Sequence, residues 1–194
     1  MPLQVSPGNF VAFGYRPDYL LDSRKHRESI SDGLEVAELN GIRGVADCRE
    51  ILVDGGNTIH GGGEVIMTSK VFEENPGLSV SGLALRLESL LGENLVVLPW
   101  DAKEIDGHSD GIVRVIGEDT VLMTNYRAFD PGMAERFRKC LRPHFRKIVE
   151  LRFDVKSPDS LSWAYINWLQ TDKVLILPRF GIPEDAQAFA QIEK

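Results

Sequence analysis

The sequence predicts an α/β domain built from a repeated strand-strand-helix-strand unit, and three observations carry that reading. A short β-rich run recurs as Val65-Ile66-Met67-Thr68, as Val121-Leu122-Met123-Thr124 and, more loosely, as Val174-Leu175-Ile176-Leu177. Each run is preceded by a turn and another short strand, so each unit opens with a hairpin. Each is followed by a proline-containing loop and an amphipathic helical stretch, and self-similarity of this kind constrains architecture more strongly than local propensity does.

Taken in order, Asn9 to Tyr15 reads as one strand, Ser31 to Leu39 as a helix before Gly41, and Cys48 to Val53 as a returning strand. Residues 1–53 are thus predicted to be a partial unit. The second unit, 54–99, has a strand over Asn57 to His60, a turn, the Val65 run, and a helix over Ser81 to Leu91. That helix places Leu83, Leu87, Leu90 and Leu91 on one face, and Asn94 to Leu98 returns as a strand. In the third unit, 100–154, Gly111 to Ile116 and the Val121 run form the hairpin. Asp130-Pro131 supplies an N-cap and first-turn pair ahead of Met133, Phe137, Cys140 and Leu141, and Lys147 to Phe153 returns. The last unit, 155–194, has Tyr165 to Leu169, the Val174 run and a helix opened by Pro183. About three and a half units are visible, so residues 1–194 read as a single domain that begins and stops inside units.

Composition narrows the partners. Hydrophobic residues make up 43% of the chain, enough for one substantial core or two small ones, and the formal net charge is −7 with both signs interspersed. Neutralising a phosphate backbone needs a basic face, so nucleic acid is excluded as the partner. No run approaches the roughly 18 apolar residues of a membrane span, and Met1 to Gly8 lacks the pattern of a signal peptide. The two cysteines, Cys48 and Cys140, form no disulfide framework and no zinc-type pair, and a cytoplasmic location follows from that usage. No metal and no cofactor is expected. Gly61-Gly62-Gly63 reads as a hairpin turn, because neither Gly-Lys-Ser/Thr nor GxGxxG accompanies it.

Residues that do chemistry are expected where the units converge, at their opening strands. The second unit carries Asp54-Gly55-Gly56-Asn57 there, the third Gly107-His108-Ser109-Asp110, and the fourth Tyr165-Ile166-Asn167. Asp54 and Asp110 stand 56 positions apart, as do the two VxMT runs, so the repeat brings both carboxylates to one site. Carboxylates sharing a pocket repel unless a cation separates them, and a planar guanidinium accepts bidentate pairs. A histidine beside them can carry a proton to a leaving amine. The guanidinium carbon then needs a nucleophile, for which cysteine is best suited. Cys140 falls on the apolar face of its helix and reads as a small buried hydrophobe, and Cys48 lies by a strand among charged residues as a non-catalytic thiol. Trp100 and Trp163 either line a substrate cleft or pack. Arg114 is either an ion-pair partner of the carboxylates or a substrate contact. A metal-dependent hydrolase using His60, His108, Asp54 and Asp110 is a third reading.

Several of these segments resemble motifs of a known family. They are Asp54-Gly55-Gly56-Asn57, Gly63-Glu64-Val65-Ile66-Met67-Thr68, Val71-Phe72-Glu73-Glu74-Asn75-Pro76, Gly107-His108-Ser109-Asp110 with Arg114, and Ala164-Tyr165-Ile166-Asn167. They resemble the agmatine deiminase and bacterial peptidylarginine deiminase branch of the guanidine-modifying pentein superfamily, over nearly the whole chain. The resemblance implies a five-bladed α/β propeller that hydrolyses agmatine, or free or peptidyl arginine, to a ureido product and ammonia through a cysteine thiouronium. It implies His108 as acid/base, Asp110 as a guanidinium carboxylate and Asp54 in place of the more common glutamate. Asn57, Trp100, Arg114 and Asn167 are the expected substrate-binding residues. Two departures follow: the family's Trp-x-Arg-Asp segment would precede Met1-Pro2-Leu3-Gln4, and its nucleophilic cysteine would lie beyond Lys194. Both are therefore expected to be missing, leaving a catalytically inert chain with residual guanidinium binding and open edges prone to form a homo-oligomer.

Overall fold

The computed structural model of the chain describes residues 2–103, 106–154 and 164–193, so Trp163 lies outside the described residues. The first unit comprises strands β1 (Leu3–Ser6) and β2 (Asn9–Gly14), helices α1 (Arg24–Arg27) and α2 (Gly33–Leu39), and strand β3 (Val45–Leu52). The second comprises β4 (Ile59–Gly61), β5 (Glu64–Thr68), α3 (Lys70–Glu73), α4 (Val80–Leu91) and β6 (Asn94–Leu98). The third has β7 (Val113–Gly117), β8 (Thr120–Met123), α5 (Pro131–Leu141) and β9 (Lys147–Glu150). The fourth has β10 (Leu169–Gln170), β11 (Leu175–Ile176) and α6 (Glu184–Ile192).

Three of these units make three-stranded sheets with one pattern, an antiparallel hairpin whose second strand pairs in parallel with the strand returning from the helix. The first unit therefore departs from its expectation. Leu3–Ser6 pairs antiparallel with β2, so this unit has its full hairpin where the sequence suggested a single strand. The alternation in Leu3-Gln4-Val5-Ser6 is too short to stand out without a partner. In the fourth unit only the β10–β11 hairpin is paired among the described residues, and Leu169, Val174, Leu175 and Ile176 are exposed there.

The recurrent run works because successive residues of a strand face opposite sides of the sheet. Val65 and Met67 pack with Val11, Phe13, Cys48 and Ile51 of the first unit and with Leu83, Leu87 and Leu91 of α4. Ile66 faces the other way, into a cluster with Val113, Val121, Met123 and the α5 residues Phe137 and Leu141. Leu122, the counterpart of Ile66, turns likewise toward Tyr165, Ile166 and Ala188 in the next cluster. Each central strand thus joins two cores, which is why both of its faces are apolar.

The helices begin and end where their capping chemistry dictates. Ser79 caps α4 by accepting from Gly82 N, and Gly92 at φ +71° closes it. The Asp130 carboxylate accepts from Met133 N at 2.9 Å, with Pro131 in the first turn of α5. Among the described residues no helix is long and apolar enough to cross a membrane.

Candidate functional site

The opening segments of the units meet at the ends of β5 and β8. Asp54 leads into a 3-10 turn over Gly55–Asn57. The 106–112 loop lies beside it, held by bonds that include Asp110 N to the Gly56 carbonyl at 3.0 Å, Ser109 Oγ to the Ile66 carbonyl at 3.0 Å, and Thr68 Oγ1 to the Gly107 carbonyl at 2.6 Å. The terminal threonine of the recurrent run thus seats the loop that carries His108.

The outcome is a compact polar cluster. His108 Nε2 lies 3.0 Å from Asp54 Oδ2, with Asp54 only 3% exposed. Asn167 Nδ2 donates to Asp110 Oδ2 at 3.1 Å, so the fourth unit reaches the same point. Gly56 makes the approach possible, because a Cβ there would stand 2.4 Å from His108 Nδ1 and 2.9 Å from Asp110 Oδ2. Burial opposes the charged imidazolium, yet the Asp54 bond and the charges of Asp110, Asp54 and Asp106 outweigh it and hold the His108 pKa above its ordinary value. Burial raises the Asp110 carboxyl, more than His108 and the Asn167 bond lower it.

A second layer of residues was not legible in the sequence. The Tyr19 ring stands edge-on to His108 with centroids 6.1 Å apart, in a 3-10 turn over Asp18–Leu20 that follows β2. Burial, a hydrogen bond with Tyr15 and the Asp54 charge all push the Tyr19 phenol up, so it stays protonated. Lys70, 2% exposed, lies between the Tyr19 and Trp100 rings at 5.5 and 5.7 Å and donates to Asp18 Oδ1 at 2.9 Å. Glu74, just past α3, is pushed up to about 7 by burial and by Asp54 and Asp18, against the pull of Lys70 and His108. Lys70 occupies the repeat position of Tyr126, whose hydroxyl reaches the buried Asp101 at 2.6 Å; that equivalence was the available signal.

The other expected residues are placed as follows. Asn57, 1% exposed, directs its amide to the Thr68 backbone, accepting from N at 2.7 Å and donating to O at 3.5 Å, so it braces the turn. Arg114 makes no ion pair with the carboxylates among the described residues. It donates to the Trp168 carbonyl at 2.9 Å and the Ile166 carbonyl at 3.4 Å, and its guanidinium sits 4.6 Å over the Trp168 ring. Arg114 therefore fixes the segment that presents Asn167. The Trp100 indole packs against Gly107, where a Cβ would come within 2.5 Å of its Nε1. His60 is paired with Glu93, away from His108, and among the described residues no group of three or more His, Cys, Asp or Glu is placed to hold a metal. Cys48, 7% exposed, is in the core of the first two units, and Cys140 packs against the next core; burial raises both thiols. A cavity of ≈ 600 Å³ beside Tyr15, Arg16, Asp32 and Arg49 is lined by none of Asp54, His108 and Asp110.

Residues 8–194 match the family described as Porphyromonas-type peptidyl-arginine deiminase. Among solved structures, the agmatine deiminase of Enterococcus faecalis is similar at 19% identity and a TM-score of 0.74, covering 95% of this chain and 61% of that one. The agmatine deiminase of C. jejuni is similar at 16% identity and a TM-score of 0.68, covering 95% of this chain and 57% of that one. DDAH from Pseudomonas aeruginosa is similar at 15% identity and a TM-score of 0.50, covering 98% and 63%. The chain therefore spans less than two thirds of the length of each of these structures. Among curated proteins, none matches it.

Proposed function

Because this chain belongs to the Porphyromonas-type peptidyl-arginine deiminase family, we propose that Asp54, His108 and Asp110 form the acid/base and carboxylate part of a site that hydrolyses a guanidinium group. The observation that carries this reading is the His108–Asp54 bond at 3.0 Å with Asp110 facing the same glycine. Agmatine is the first candidate substrate, and free or peptidyl arginine come next. The two carboxylates pair with the guanidinium nitrogens, and a thiolate adds to the central carbon. His108, held protonated by its neighbours, gives its proton to the departing ammonia; it then takes one from the water that displaces the thiolate and leaves the ureido product. Asn167 orients Asp110, while Asn57 and Arg114 hold the two segments in place.

Neither cysteine of the chain is proposed as that thiolate. Both are packed in cores with raised pKa values, the reverse of what activation requires. The nucleophile is supplied from outside these 194 residues, and the chain alone binds a guanidinium without turning it over. The same reading makes each strand-strand-helix-strand unit one blade of an α/β propeller, which agrees with the shared sheet pattern and the cores between units.

The test is ammonia and ureido-product release from this chain with agmatine, arginine and a blocked arginyl peptide, alongside Cys48→Ser, Cys140→Ser and His108→Ala. The expected result is no turnover from any of them. Turnover lost on changing either cysteine would overturn the assignment of the nucleophile.

A further inference from the structure

Lys70 is a buried cation that the proposed chemistry leaves without a task. Its ammonium bonds Asp18 Oδ1 at 2.9 Å and the Asp106 carbonyl at 3.0 Å, and it stands 3.8 Å from Glu74 Oε1. Those partners belong to three segments that converge on His108: the turn after β2, the residues just past α3, and the loop before His108 itself. The stem is enclosed as well, since a Cβ on Gly107 would lie 2.9 Å from Lys70 Cδ, and Gly107 has a φ of +62°. Asp18 itself is largely exposed, so the ammonium holds it from beneath.

We propose that Lys70 is a positioning residue for the site: by drawing the Asp18–Leu20 turn onto α3 and the Asp106–His108 loop, it sets the Tyr19 ring against the His108 imidazole. This rests on the guanidinium reading for its purpose, but the geometry it explains is present without any ligand. The aromatic rings on either side favour a cation in the gap, and an ammonium sealed from water is stabilised only while its acceptors stay in place. The turn, the helix end and the loop are therefore tied as one body.

A tie of this kind leaves an electrostatic signature on Glu74. The charged groups acting on that carboxyl are Asp54 and Asp18, which raise it, and Lys70 and His108, which lower it. Removing the ammonium and removing the carboxylate that it holds must shift Glu74 in opposite directions, although both release the turn.

The experiment is carbon-detected NMR of the glutamate carboxyls with proton NMR of the aromatic rings, on the unliganded chain and on Lys70→Met, Lys70→Arg and Asp18→Asn. Lys70→Met is expected to raise the Glu74 midpoint above the parent's and to abolish the Tyr19–His108 ring contact. Asp18→Asn, at an exposed position that leaves the core intact, is expected to lower the midpoint and loosen the same ring contact. Lys70→Arg restores the parent midpoint. An unchanged ring contact in both Lys70→Met and Asp18→Asn, or a Glu74 midpoint that moves the same way in both, overturns the proposal. Because no guanidinium is added, this result stands apart from whether the site binds one.

Discussion

Replacing Gly56 by alanine probes the site at its tightest point. The added Cβ would lie 2.4 Å from His108 Nδ1 and 2.9 Å from Asp110 Oδ2, whereas ordinary contacts begin at 3.4 Å. Either the imidazole retreats by about 1 Å or the Gly55–Asn57 turn shifts, and each costs a bond. A retreating ring stretches the 3.0 Å bond to Asp54, and a shifting turn stretches the 3.0 Å bond from Asp110 N to the Gly56 carbonyl. Overpacking of this kind costs about 1–3 kcal/mol, which for a chain of this size lowers the melting temperature by roughly 2–12 °C. Gly55 supplies the control, since a Cβ there meets nothing within 4 Å. Thermal melts and the proton NMR titration of His108 read both consequences. Gly55→Ala should behave as the parent, while Gly56→Ala should melt lower and titrate His108 at a lower pH, because stretching the Asp54 bond weakens the largest single contribution that opposes burial. Identical melts and titrations for the two variants would refute the claim that Gly56 is what allows the cluster to close.

Three further outcomes follow from the same geometry. His108 has a folded pKa above its ordinary 6.5, so its bond to Asp54 stabilises the fold fully at lower pH and is lost as pH rises through that folded value. Asp54→Asn should therefore lose more stability in urea at about pH 5.5 than at about pH 8.5, and an equal loss at both would contradict the pairing. Asp110 carries the opposite burden, because burial raises its carboxyl and its ionised form costs stability at neutral pH. Asp110→Asn should accordingly be as stable as the parent or slightly more so at neutral pH, and a loss above about 1 kcal/mol would count against that. Phe137 is fully buried with its ring 4.9 Å from that of Tyr126, so Phe137→Ala should cost about 3–5 kcal/mol in chemical denaturation.

The repeat was legible because period-two apolar runs and capped helices are local signals. Val65-Ile66-Met67-Thr68 and Val121-Leu122-Met123 lie in central strands, and Asp130-Pro131 does open a helix. The first hairpin was missed because Leu3–Ser6 becomes a strand only through β2, a pairing that four residues cannot announce. At the site, Asp54 and Asp110 both act on His108, Asp54 through a hydrogen bond and Asp110 through its charge. The backbone bonds of Asn57 and Arg114 were not legible for a shared reason: a polar side chain beside such a motif can bond substrate or backbone, and only the folded geometry shows the backbone bonds. Lys70 was marked in the sequence only by its repeat equivalence to Tyr126, and Tyr19 by nothing, because their importance comes from contacts between segments some fifty residues apart, such as Lys70 to Asp18.

The account stands most directly on guanidinium recognition by Asp54, His108 and Asp110. The decisive measurement is a proton NMR titration of the His108 ring in the 194-residue chain with agmatine, and with putrescine as the amine lacking the guanidinium. The expected result is a saturable shift of the His108 resonances with agmatine, absent with putrescine and abolished in Asp110→Asn. No shift with agmatine, or an equal shift with putrescine, would contradict the assignment of this cluster as a guanidinium site.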